Sequence, residues 1–207
     1  MGCDQVSDYY PYYPVGAIRD NLLTIRSRRL KQTQEPGLFL MIGSAFYGPT
    51  REGFSWFIQQ AALYGLPAGM RVIIAGRYAD ALNPSQTDIP GLEFHGWVEQ
   101  TQLDDWLCRV QGVLAPQWRG FGAITRLSEM SCAGVPIIIP EYLTYVTDPL
   151  PNVWTAGRSW QSWLSTLEKV MAIDSQSLLE PTSHPSSSSA FKVAIERYLS
   201  AGSTNPS

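Results

Sequence analysis

Short apolar runs recur along this chain roughly every 20 to 30 residues: LFLMIGS from Leu38, RVIIAG from Arg71, LEFHGWV from Leu92 to Val98, GVLAP from Gly112 and PIIIP from Pro136. A run apolar at every position, rather than at alternate ones, marks a strand covered on both faces. A weaker sixth run, NVWTA, begins at Asn152. Between these runs lie stretches with helical spacing. Residues 51–65 put Phe54, Phe57, Ile58, Ala61 and Ala62 on one face and end at Gly65. Residues 101–110 align Leu103, Trp106, Leu107 and Val110, residues 123–133 form a further helix, and residues 159–172 are amphipathic. Strand–helix alternation of this kind predicts an α/β fold: a Rossmann-like parallel sheet with helices on both faces. Such sheets bind ligands beyond the carboxyl ends of their strands. The residues following Ile42, Ala75, Phe94, Ala115 and Ile139 therefore define where a site would form.

The flanks read differently. Residues 1–36 are expected to be a lead-in, opening on the aromatic, proline-broken YYPYYP, with a helix over residues 18–32 whose apolar spacing is poor. The Rossmann-like core is expected over residues 37–180. A Ser/Pro linker follows at 181–189, then a closing helix and tail at 190–207.

Composition excludes several classes. Net charge is −3 and the longest basic cluster is Arg28-Arg29-Leu30-Lys31, so nucleic acid finds no electrostatic footprint. No apolar run is long enough to span a bilayer, and the N-terminus carries neither the charged nor the apolar part of a signal peptide. Cys3, Cys108 and Cys132 are scattered and odd in number, as in a reducing, cytoplasmic protein. Charged residues make up only 16% of the chain, against about 25% in an average domain. Part of the surface is thus expected to face a partner or ligand.

The segment Ala115–Pro140, APQWRGFGAITRLSEMSCAGVPIIIP, concentrates the chemistry. Gly120 and Gly122 allow a sharp bend and close approach of a ligand. The helix they introduce would aim its first amides at an anion, with Thr125 and Arg126 adding a hydroxyl and a cation. Glu129 lies three residues after Arg126 on the same face. Its carboxylate would repel a phosphate but could accept hydrogen bonds from the vicinal hydroxyls of a ribose. The alternative is a plain turn followed by a solvated acid.

MIGSAFYGPTREGFSWFI, RVIIAGR, PGLEFHGWV and the 115–140 segment occur in an order and spacing that resemble the C-terminal, nucleotide-sugar-binding domain of GT-B glycosyltransferases, of the retaining group-1 (family 4) type. The resemblance covers residues 36–172. It implies transfer of a sugar from a nucleotide diphosphate donor, such as a UDP- or GDP-sugar, to an acceptor, without a metal or other cofactor. It further implies that Glu129 binds the donor ribose. Gly120, Gly122, Ala123, Thr125 and Arg126 would hold the diphosphate, Gly43 and Ser44 would form the turn after the first strand, and Gly96, Trp97 and Val98 would line the base pocket. Two departures stand out. Phe121 takes the place of the first motif glutamate, eight residues before Glu129, and Glu52 takes the place of a lysine. The missing cation would have to come from an arginine: Arg126 first and Arg51 second as the groups stabilising the leaving diphosphate, with Arg77 and Arg119 read as surface charges. The family's enzymes also have an N-terminal domain, so a separate or missing N-terminal half is the expected partner.

Two other readings compete. One is a non-catalytic binding or assembly module derived from such a transferase. The other is an NAD-dependent oxidoreductase, on the strength of Gly120-Phe121-Gly122 and of Glu141 about 20 residues on. Against the latter, Thr125 replaces the third glycine, and Gln117, Trp118 and Arg119 intervene between strand and glycine.

Overall fold

The computed structural model describes residues 14–83, 88–119, 125–146 and 152–173. Eleven main elements follow in order among them: α1 (Gly16–Arg29), β1 (Leu38–Ile42), α2 (Gly48–Tyr64), β2 (Arg71–Ala75), β3 (Leu92–Phe94), α3 (Gln100–Arg109), β4 (Gly112–Leu114), α4 (Thr125–Ala133), β5 (Ile137–Pro140), β6 (Val153–Ala156) and α5 (Trp160–Met171). The six strands form one sheet in the order β3-β2-β1-β4-β5-β6, and every pairing is parallel. The expected Rossmann-like α/β architecture is therefore present.

The continuous apolar runs have the predicted cause. Successive residues of β1 point to opposite faces, and each face is covered. Leu38 and Leu40 join a core with Ile73, Val113 and Ile137, closed by α1, α3 and α4. Phe39 and Met41 join a second core with Val72, Ile74 and Leu114, closed by α2 and α5. On that side Trp56, Phe57, Trp118, Trp160 and Trp163 pack edge to face, with ring centroids as close as 4.8 Å between Trp56 and Trp118. The tryptophans of α5 thus serve the core.

Helix boundaries follow local chemistry. Pro49 in the first turn of α2 starts it three residues before the sequence expectation. Ser159 caps α5 by accepting a bond from the Ser162 amide at 3.2 Å. Helix α1 buries Leu22, Ile25 and Arg29, a stripe at i, i+3 and i+7 whose last member is charged. Hence its apolar spacing looks poor in sequence although the helix is docked. Arg29 is fully buried and Nη1 donates to the carbonyls of Leu107 at 2.5 Å and Val110 at 2.8 Å. Those carbonyls belong to the end of α3, where a cation is electrostatically favoured. Asn21 adds a second tie, donating to both carboxylate oxygens of Asp104 at 3.1 Å.

β3 stops at Phe94 rather than running to residue 98. The chain turns away there because the Gly96 carbonyl accepts from the Gly76 amide at 2.9 Å, which pins it across the end of β2. The aromatic run at Tyr9–Tyr13, the glycine-rich segment 120–124, the linker at 181–189 and the expected last helix lie outside the described residues. Among the described residues no helix is long and apolar enough to cross a membrane.

Candidate functional site

In the order β3-β2-β1-β4-β5-β6 the chain starts in the middle and builds outward in both directions. Loops leaving β1 and β4 therefore diverge, and a crevice opens between them at the carboxyl edge. Everything described below lies at that edge.

The strand-end loops are stitched to each other through backbone bonds. Gly43 N donates to Ala75 O at 3.0 Å, Ala45 N to Arg77 O at 2.8 Å, and His95 N to Ile74 O at 2.8 Å. Gly76 makes this possible. Its φ is +122°, and a Cβ built there would lie 2.1 Å from the Gly43 carbonyl oxygen. A side chain at that position would force the loops after β1 and β2 apart. On the other side, α2 sits so close to the end of β4 that a Cβ on Gly53 would fall 1.7 Å from the Pro116 carbonyl oxygen.

Arg126, in the first turn of α4, reaches under the end of β1. Its Nη1 donates to the carbonyl oxygen of Ile42, the last residue of the strand. Burial lowers its pKa, and the charge of Glu129, one turn further along α4, acts in the opposite direction. An arginine stays protonated at physiological pH despite such shifts, and its planar fork offers five donors.

Two adjoining cavities meet at Arg126. The first, of about 520 Å³, is lined by Gly43, Ser44, Arg77, Trp97, Val98 and Arg126, among others. The second, of about 460 Å³, lies beneath it between α1, α3 and α4, and Glu129 lines it together with Asn21, Asp104 and Met130. Ile42, Gln100 and Leu103 border both. The residue types suit a ligand with an anionic part beside a flat or hydroxylated one: cations and a hydroxyl at the β1 and β2 ends, an exposed indole at Trp97, and a half-buried carboxylate on α4.

The residues singled out from sequence distribute as follows. Gly43, Ser44, Trp97, Val98 and Arg126 line the first cavity, and Glu129 lines the second. Gly96 shapes the loop from outside, its α-carbon turned toward the Asp80 carboxylate, where an added Cβ would come within 3.2 Å. Thr125 is exposed and borders neither cavity. Arg51 is exposed on α2 and likewise borders neither. Gly120, Gly122 and Ala123 fall outside the described residues. Arg119 forms an ion pair with Glu52 at the surface. The His95 ring stacks at a tilt on Trp106, with centroids 5.1 Å apart. Glu141, the acid of the dinucleotide reading, opens a short turn after β5 and borders neither cavity. Among the described residues no cluster of three or more His, Cys, Asp or Glu could hold a metal ion.

Arg77, read from sequence as a surface charge, is exposed and lines the first cavity, and the α1 residues Ala17, Ile18 and Asn21 wall the second. The place of Arg77 follows from its being the second residue after a parallel strand, behind a glycine.

No family model and no curated protein sequence matches the chain. Solved structures do. WaaG, a glycosyltransferase involved in lipopolysaccharide biosynthesis, superposes with a TM-score of 0.52 at 18% identity, over 83% of this chain and 49% of that one. A sucrose-phosphate synthase from Thermosynechococcus elongatus superposes with a TM-score of 0.53 at 13% identity, over 92% of this chain and 50% of the enzyme. The chain spans about half the length of these two enzymes, and its fold is that of one domain of the group-1 GT-B glycosyltransferases.

Proposed function

We propose that the chain is the nucleotide-sugar-binding domain of a retaining GT-B glycosyltransferase and works with an N-terminal domain that supplies the acceptor site. The observation that carries this reading is Arg126, tied to the end of β1 and shared by the two cavities, with Glu129 one turn beyond it. The roles follow from charge. The diphosphate of the donor would lie against Arg126 and Ser44 in the first cavity. Glu129 would accept hydrogen bonds from the ribose hydroxyls in the second. Trp97 and Val98 would cover the base. As the bond between the anomeric carbon and the diphosphate breaks, the leaving group takes the electron pair, and a fixed guanidinium stabilises the charge that develops there. Likeness in fold to half of each of the two transferases supports the need for a second domain.

Thermal unfolding with UDP, GDP, ADP and NAD tests the reading. A ligand present at about 100 times its Kd adds roughly 2.7 kcal/mol to stability, which for a chain of this length raises Tm by about 5–10 °C. A nucleoside diphosphate is expected to give that shift in the wild type and not in Arg126→Ala or Glu129→Ala. A shift with NAD alone would favour the oxidoreductase. Silence from every nucleotide would favour a non-catalytic assembly module, a reading to which the acid at position 52 lends support.

A further inference from the structure

We infer that Arg77 is the second cation of the diphosphate site, holding with Arg126 the two charge centres of one pyrophosphate group; this rests on the donor-binding reading above. Three observations lead there. Arg77 lines the same cavity of about 520 Å³ as Ser44 and Arg126. Its backbone is fixed beside the Gly43–Ser44 turn by the 2.8 Å bond from the Ala45 amide to its own carbonyl, while Arg126 is fixed to the same turn from the α4 side through Ile42. Finally, Arg77 takes part in no ion pair with a described residue, a trait it shares with Arg51, but of the two only Arg77 lines a cavity.

Arg77 stands over a crevice whose described lining holds one acid, Glu99, against two cations. Glu99 disfavours an anion at its own position and biases it toward the arginines. Two guanidiniums borne on different elements, the loop after β2 and the first turn of α4, suit an anion with two separated charge centres better than a single phosphate. The position that resembles the family's lysine offers no help, since Glu52 occupies it and is engaged with Arg119.

The test compares wild type, Arg77→Ala, Arg77→Lys and Arg126→Ala by calorimetric titration with UDP, GDP and ADP, with the matching monophosphates, and with inorganic pyrophosphate. Loss of a charge-assisted contact costs roughly ten- to a hundredfold in affinity. Arg77→Ala is therefore expected to weaken the bound diphosphate and pyrophosphate by about that factor, to change the monophosphate by less than about threefold, and to leave Tm without ligand unchanged. Arg77→Lys should recover part of the loss. Equal weakening of mono- and diphosphate, or no weakening of either, would overturn the assignment of Arg77 while leaving the donor-binding reading intact. Failure of the wild type to bind any diphosphate or pyrophosphate would overturn both.

Discussion

Replacing Gly76 with alanine probes the fold and the site with one atom. Two penalties meet at this residue. Its φ of +122° lies where L residues are seldom found, which costs on the order of 1–3 kcal/mol. The new Cβ would also sit 2.1 Å from the Gly43 carbonyl oxygen, a backbone atom that no rotamer change can move away. Relief requires the loops after β1 and β2 to separate, and overpacking of that kind costs about 1–3 kcal/mol more. The sum, roughly 2–6 kcal/mol, is a large part of the 5–15 kcal/mol that holds an ordinary domain together. At about 2–4 °C per kcal/mol, Tm should fall by roughly 5–20 °C. Gly48→Ala is the matched control, because nothing lies within 4 Å of its added Cβ and its φ is not positive; it should stay within about 0.5 kcal/mol of wild type. Urea unfolding and thermal scans of the two variants read the difference. Equal stability of Gly76→Ala and wild type would refute the claim that this glycine holds the two strand ends in contact. Because the Ala45–Arg77 bond spans the same gap, diphosphate affinity should fall together with stability.

Two further outcomes follow from charged groups outside the site. Arg29→Met removes the bonds to the carbonyls of Leu107 and Val110 at the end of α3 and should destabilise the chain by roughly 2–4 kcal/mol in urea unfolding. Burial lowers the Arg29 pKa to about 10, so its charged form is penalised in the folded state below that pH and the penalty lifts only as pH rises through it toward the ordinary arginine range. Wild-type unfolding at neutral pH therefore already carries the cost, and a stable Arg29→Met variant would mean that desolvation outweighs the bonds. Glu35 is held below the usual carboxylate range, first by its hydrogen bond from Arg109, then by Arg71. Its stabilisation is present above the ordinary glutamate pKa and is lost as pH falls through the lowered value. Glu35→Gln should be less stable than wild type near neutrality and converge with it in acid; a constant gap across the range would show that the ion pairs contribute nothing.

The sheet was legible because its cause is local. A strand buried on both faces must be apolar at each position, and Phe39, Leu40 and Met41 say so without reference to any other residue. The helix faces of α2 and α5 are legible for the same reason. What escaped depends on neighbours distant in sequence. Helix α1 has a stripe ending in Arg29, and only the carbonyls at the end of α3 explain why a guanidinium belongs at that buried position. β3 ends early because of Gly76, twenty residues before Gly96. In the candidate site, Arg126 and Glu129 stand out from the residue pattern and Gly43, Ser44, Trp97 and Val98 from the family resemblance, and all six border the two cavities. The resemblance ranks positions by a pattern and cannot weigh which side chain faces the crevice, so it places Arg51 ahead of Arg77.

The choice between those two arginines turns on element geometry. Arg51 is exposed on α2 and borders neither cavity, while the start of α2 is held against the end of β4 by the close approach of Gly53 to the Pro116 backbone. Its neighbour Glu52 meets Arg119, in the segment that leads out of β4. The start of α2 is thus committed to holding that segment and presents an acid where relatives of this pattern are expected to present a base. A cation facing the crevice must then come from an element that ends there. β2 ends there, with Arg77 at its exit, and α4 begins there, with Arg126 in its first turn. The backbone of Arg77 and the guanidinium of Arg126 are both set beside the same Gly43–Ser44 turn by hydrogen bonds that do not depend on a ligand. Two cations therefore face one crevice, one from the end of β2 and one from the start of α4, although position 52 carries an acid.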